Sequence, residues 1–301
     1  MGRRRSAGRG LRRTNASVHR PNGPGDASGD GGIPIIRLKF SKLSGAGNDF
    51  ILIDAARARR LSGSRLARRL CRRRSSIGAD GLLLVRRGRN GTPELDYYNA
   101  DGSRAFCGNG SRCAAWWIHR AGWKKSRFRL KTRSGVLEAR ITGARRARVR
   151  MPDARGLRRG LRLKAGGRIW TVDFIDTGVP HAVVRVPAAK LESFPVGIVG
   201  RALRRHRAFS PKGANINFVA AAGRTLRVRT FERGVENETL ACGSGVVAAA
   251  ILAGNKRLRS VRVTTKGGAA LTTGFCRNST GATGVWLEGP AHGIYDGEVR
   301  L

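Results

Sequence analysis

The chain has 301 residues, of which 60 are Lys or Arg and 19 are Asp or Glu, for a formal net charge of +41. No apolar run reaches the ~18 residues of a membrane-spanning helix, so no membrane partner is expected. The five cysteines (Cys71, Cys107, Cys113, Cys242 and Cys276) are odd in number and form no CxxC pair. That pattern argues against a disulfide scaffold or structural zinc, and for reduced thiols in a cytoplasmic protein.

The charge is spread along the whole chain, without a nucleic-acid-binding motif and with only three Tyr and ten Phe for stacking. It reads as a solvated, Arg-rich surface. No specific nucleic-acid partner is expected, although non-specific attraction to polyanions is. Residues 1–33 hold seven Arg, no Lys and only Asp26 and Asp30 as acids, amid Gly and Ser, and read as a disordered basic tail. They lack the apolar stretch of a secretory signal, although transit peptides share their Arg-rich, acid-poor character. The remaining 268 residues are enough for two modest cores.

In chain order, Ile35–Leu43 and Phe50–Asp54 predict strands around a glycine-rich turn, and Leu61–Arg74 has Leu at helical spacing with Arg on the other face. Strands follow at Gly81–Val85 and Glu94–Tyr98, then a turn at Asn99–Gly102 and a helix over Ser111–His119 that Gly122 stops. Phe128–Thr132, Val136–Ile141 and Ala147–Met151 alternate apolar and polar residues, as half-buried antiparallel strands do. After a boundary at Met151-Pro152, a similar order returns. Strands at Trp170–Ile175 and His181–Val186 precede a helical patch at Val199–His206, and strands at Asn215–Ala220 and Leu226–Phe231 come next. Gly245–Leu252 is apolar all round, so it predicts a helix buried on every side, with a curved sheet as its container. Val261–Thr265, Ala269–Thr273, Gly284–Glu288 and Glu298–Leu301 complete the strands. The fold class is therefore α/β (α+β), with two similar domains, each a strand-rich, barrel-like sheet around a central helix.

Two blocks carry the chemistry: Cys107-Gly108-Asn109-Gly110 and Cys242-Gly243-Ser244-Gly245, 135 positions apart. Each puts a thiol ahead of a glycine turn that opens a helix. Unpaired N–H groups there can bind a carboxylate and are expected to lower the thiol pKa by about one unit or more. Glycine lets the backbone approach a ligand closely. Two such helices facing one stereocentre could hold a carboxylate between them, remove an α-proton with one thiolate and return a proton from the opposite thiol. No cofactor and no metal is needed for this.

Phe40–Phe50 (FSKLSGAGNDF), Asn99–Cys113 (NADGSRAFCGNGSRC), Asp176–Val183 (DTGVPHAV), Ala214–Val219 (ANINFV) and Thr230–Gly245 (TFERGVENETLACGSG) together resemble the signatures of diaminopimelate epimerases, in the family's order. The resemblance spans Ile35 to Leu301. It implies interconversion of LL- and meso-diaminopimelate in lysine synthesis, without cofactor. It also implies two alike α/β domains (34–150 and 151–290, with 291–301 returning to the first), an active site in the cleft between them, and a homodimer. By resemblance, Cys107 and Cys242 are the acid/bases, His181 assists the first and Glu232 stands beside the second. Asn48, Asn99, Asn215, Glu232 and Arg233 match positions that hold the distal end of the substrate. Gly108, Asn109, Gly243 and Ser244 match those that hold the reacting carboxylate. The chain departs from a common family pattern at Val179, where many members carry an Asn that touches substrate. Two rivals remain at this point: a proline racemase-like enzyme, and a basic polyanion-binding protein on a degenerate epimerase scaffold.

Overall fold

A computed structural model describes residues 36–59, 61–254 and 259–301. The predicted tail, 1–33, lies outside them. Ile36–Leu301 form one compact unit. Among the described residues, no helix is long and apolar enough to cross a membrane.

The first half runs β1 (Arg37–Gly45), β2 (Asn48–Asp54), α1 (Gly63–Leu70), β3 (Gly81–Arg87), β4 (Pro93–Asn99), α2 (Gly108–Arg120), β5 (Arg127–Thr132), β6 (Gly135–Gly143) and β7 (Arg146–Arg150). The second runs β8 (Arg155–Ala165), β9 (Arg168–Asp176), β10 (Pro180–Arg185), α3 (Val196–Arg204), β11 (Asn215–Ala222), β12 (Thr225–Glu232), β13 (Asn237–Thr239), α4 (Gly243–Ala253), β14 (Ser260–Thr265), β15 (Ala270–Asn278) and β16 (Gly281–Pro290). A last strand, β17 (His292–Arg300), follows.

The duplication expected from the order of elements extends to the pairing pattern. In the first half β2 pairs parallel with β3, β3 antiparallel with β4, β4 parallel with β5, and β5, β6 and β7 are successive antiparallel neighbours. In the second half β10–β11, β11–β12, β12–β14, β14–β15 and β15–β16 repeat that sequence of senses. The halves are joined by the antiparallel pair β7–β16, with Val149 opposite Leu287. The chain then returns, because β17 pairs antiparallel with β1 from Arg300↔Arg37 to His292↔Ser44.

Each curved sheet wraps one helix. Strands β1–β4, β6, β7, β16 and β17 surround α2, and β9–β12 and β14–β16 surround α4. Every residue of α4 from Gly245 to Leu252 is buried, as its all-round apolar sequence requires. Its Val246, Val247, Ile251 and Leu252 share one continuous core with Cys113, Ala114 and Ile118 of α2. Burying side chains of this size is worth about 1.5–3 kcal/mol each. The amphipathic helices lie outside: α1 covers Leu38, Ile51, Leu82 and Leu84, and α3 covers Val184, Ile216, Phe218 and Phe231.

Some boundaries differ from expectation. The central helices begin three and two residues earlier than predicted, at Gly108 and Gly243, because the cysteines themselves are the N-caps. The strand β8 gave no alternation signal: it carries Arg or Lys on both faces, and most of it is solvent-exposed. The last strand is longer than Glu298–Leu301, and the short β13 was not expected.

Candidate active site

The two cysteine blocks adopt one conformation. Cys107 has φ −134° and ψ 111°, and Cys242 has φ −121° and ψ 108°. In each case the carbonyl accepts the first helical bond, from Ser111 N–H at 2.8 Å and from Val246 N–H at 2.9 Å. The Gly110 N–H points at Cys107 Sγ, 3.3 Å away, so the thiol acts as a side-chain cap. Cys242 Sγ lies 3.5 Å from the Ser244 hydroxyl.

The glycines after the cysteines explain how the two helix tips come together. A Cβ on Gly243 would lie 2.8 Å from Asn109 Oδ1 and 2.9 Å from Leu287 Cδ2. A Cβ on Gly108 would lie 2.9 Å from the Met151 sulfur and 3.5 Å from the same Leu287 carbon. The tips thus abut around Leu287, close enough for a charge on Cys107 to raise the Cys242 thiol. The β1–β2 turn also reaches this region: Gly47, at φ +98°, packs against Leu240 and Ala241, just ahead of Cys242.

On the first-half side, Asn109 Nδ2 donates to Asn48 Oδ1 at 2.6 Å, and Asn48 Nδ2 donates to Asp80 Oδ2 at 2.9 Å. Asn99 accepts from the Tyr97 hydroxyl and donates to Ser103, at the end of β4. On the other side, Asn215 Oδ1 accepts from the Arg233 backbone N–H at 2.8 Å, while its Nδ2 donates to the Pro180 carbonyl. Thr239 donates to Glu232 Oε2 at 2.8 Å. The Arg233 guanidinium faces the Lys212 carbonyl at 3.5 Å. His181 is fully buried; its Nδ1 lies 3.1 Å from Asn217 Nδ2, and its Nε2 has no hydrogen-bond partner among the described residues. Asn217 in turn accepts from Thr230 at 3.0 Å. Thr177 donates to the Ser244 carbonyl, and Val179 accepts from the Thr177 N–H in the turn before β10.

The electrostatics correct one expectation. Burial pushes the Cys107 thiol up to about 11 against the lowering by the Gly110 and Asn109 N–H groups, and pushes Cys242 higher still. Desolvation of a thiolate outweighs the helix N-terminus here, so both sulfurs rest as thiols. Burial likewise raises the Glu232 carboxyl, with Asp80 adding to the rise and Thr239 opposing it. Burial lowers His181 to about 3, which keeps its imidazole neutral.

Two participants went unassigned in the sequence. Asp80 lies in Ala79-Asp80-Gly81, a segment too ordinary to carry a motif, and Arg112 is one of 60 basic residues. The signal for Arg112 is a charge in the first turns of α2, between Gly110-Ser111 and the buried Cys113-Ala114-Ala115.

A sequence profile of the diaminopimelate epimerase family matches residues 40–156 and 174–289. The diaminopimelate epimerase of Chlorobaculum tepidum is 39% identical over 266 residues, covering 86% of this chain and 100% of that protein. That of Aquifex aeolicus is 38% identical, covering 87% and 98%. Among solved structures, a PhzF-family phenazine biosynthesis protein from Bacillus anthracis superposes with a TM-score of 0.66 at 14% identity, over 87% of this chain and 99% of that one. A hydroxyproline epimerase from Agrobacterium vitis gives 0.61 at 13%, over 88% and 93%. These two share the fold; the profile and the two relatives, with the paired cysteine caps, show that this chain belongs to the diaminopimelate epimerase family.

Proposed function

We propose that this isomerase interconverts LL- and meso-diaminopimelate by moving one α-proton between Cys107 and Cys242. The observation that carries the reading is the pair of cysteine N-caps, alike in backbone conformation, on helix tips that abut. The N–H groups of Gly108, Asn109, Gly243 and Ser244 bind the α-carboxylate, as helix N-termini bind anions. They also stabilise the charge that the carbanion delocalises into that carboxylate.

One cysteine must be a thiolate and the other a thiol at the start of each turnover. Burial makes the thiolate hard to form but a stronger base once formed, which suits a weak carbon acid. Glu232, itself raised by burial, takes up and returns a proton beside Cys242. His181 stays neutral and assists Cys107 through its free Nε2. The distal ammonium is held by Asn48, Asn99, Asn215 and Glu232, and the distal carboxylate by Arg233. The reaction as proposed uses protein groups alone.

The two halves, 34–150 with 291–301 and 151–290, act as domains that close on substrate and exclude water. The setting is lysine synthesis in the cytoplasm, where thiols stay reduced. The working form is a homodimer; the exposed Ile294 and Tyr295 on β17, which pairs only with β1 among the described residues, favour association.

The test is solvent-deuterium incorporation at the α-carbon of LL-diaminopimelate, with proline as control. The wild type is expected to exchange and epimerise, and Cys107→Ala and Cys242→Ala each to abolish epimerisation. Undiminished turnover in either variant, or exchange with proline alone, overturns the reading.

A further inference from the structure

A chain of polar groups crosses the first half of the site from its surface to its core. Arg73 Nη2 donates to Asp80 Oδ1 at 2.8 Å. Asp80 Oδ2 accepts from Asn48 Nδ2 at 2.9 Å and from the Asp49 N–H at 3.2 Å. Asn48 Oδ1 accepts from Asn109 Nδ2 at 2.6 Å, and Asn109 Oδ1 accepts from Arg112 Nη1 at 2.9 Å.

The two ends determine the direction of every bond between them. A carboxylate can only accept and a guanidinium can only donate. Asn48 must therefore turn its NH2 to Asp80 and its oxygen to Asn109, and Asn109 must turn its oxygen to Arg112. Flipping either amide sets donor against donor or acceptor against acceptor. In this orientation each Asn Nδ2 keeps one N–H for another acceptor.

Arg112 is an unusual anchor. It is fully buried, and its Nε and Nη2 have no hydrogen-bond partner among the described residues. No carboxylate pairs with it in the ion pairs of the described residues. Burial lowers its pKa to about 10, against the attraction of Cys113 and Cys107. A buried guanidinium without a counter-ion is costly, and apolar side chains of similar volume often replace buried charges without loss of stability. Stability alone does not account for this residue.

We propose that Asp80 and Arg112 are positioning residues whose opposite hydrogen-bonding demands lock the amides of Asn48 and Asn109, so that each offers an N–H to the substrate. The proposal rests on the functional reading above for its consequence in catalysis, but not for the lock itself.

The experiment has two arms. In protein labelled with ¹⁵N-asparagine and free of substrate, the side-chain NH2 protons of Asn48 and Asn109 are expected to exchange slowly with solvent. They lose that protection in Asp80→Asn and Arg112→Met, while backbone amides of α2 and β2 keep theirs. In the kinetic arm, Arg112→Met holds or raises Tm but lowers kcat/KM for LL-diaminopimelate about tenfold or more, the loss typical of one charge-assisted hydrogen bond. Arg112→Lys, which restores a charged donor, recovers part of the activity with no gain in Tm. A merely structural arginine predicts the opposite ranking.

Full activity in a folded Arg112→Met, activity lower in Lys than in Met, or unchanged amide protection in Asp80→Asn overturns the proposal. If Arg112→Met does not fold, Asp80→Asn tests the other end by both arms. A wild type that never exchanges the α-proton refutes the functional reading, and the amide arm still decides the lock.

Discussion

Replacing Gly243 by alanine puts one methyl group where the two central helices meet. Its carbon would lie 2.8 Å from Asn109 Oδ1 and 2.9 Å from Leu287 Cδ2, where ordinary contact begins at 3.4 Å. Both neighbours would have to give way by about half an ångström. Asn109 cannot do so freely, because its amide is held by Asn48 at 2.6 Å and by Arg112 at 2.9 Å. Overpacking of this kind costs about 1–3 kcal/mol, only partly offset by the ~0.5–1 kcal/mol that alanine gains over glycine in a helix. The larger effect falls on geometry: separating the two helix tips by a fraction of an ångström should lower kcat/KM for LL-diaminopimelate about 10- to 100-fold. The assay is coupled epimerisation, with Tm measured in parallel. Gly197→Ala in α3, where an added Cβ meets nothing within 4 Å, is the control and should raise Tm with activity unchanged. Unchanged activity in Gly243→Ala would refute the claim that the tips are in contact.

Because burial raises both active thiols, inactivation of the free protein by iodoacetamide should be slow at pH 7 and climb about tenfold per pH unit from 7 to 9; a rate flat across that range contradicts the assignment. Glu232 has a folded pKa above its unfolded value, so its contribution to stability is lost as pH rises from the unfolded pKa through the folded one. Glu232→Gln should therefore raise Tm at pH 7.5 and make little difference at pH 4, as scanning calorimetry will report. His181 is lowered to about 3, so the unfolded chain binds a proton first and stability falls as pH drops below about 6.5. His181→Gln should flatten that decline in urea titrations between pH 6.5 and 5, and an unaltered slope would contradict the burial argument. In the shared core, Leu271→Ala removes a fully buried side chain and should cost about 2–5 kcal/mol by denaturant unfolding.

How far these features can be read from the sequence depends on whether their cause is local. The helix from Gly245 to Leu252 declares its burial because every position is apolar. The cysteine caps are visible because a thiol, a glycine and a turn lie within four residues. The strand β8 is hidden because it is mostly exposed and carries Arg on both faces, so no alternation marks it. The thiol pKa was misjudged for a similar reason. The helix terminus that lowers it is local, whereas the burial that raises it, and the Glu232 charge that adds to the rise, depend on how distant segments pack. Asp80 and Arg112 were missed because their roles depend on Asn48 and Asn109, 32 and 3 positions away, through bonds that no spacing rule encodes.

The return of β17 to β1 ties the two halves together in a way that a simple tandem repeat would not. Cutting the chain once between β7 and β8 would yield two fragments, and the C-terminal one would still carry β17, which pairs with β1 along eight residue positions. The same fragment would hold β16 against β7. Nicked protein should therefore stay assembled, and the pieces, mixed from separate preparations, have the strand complementarity needed to find each other and rebuild the site.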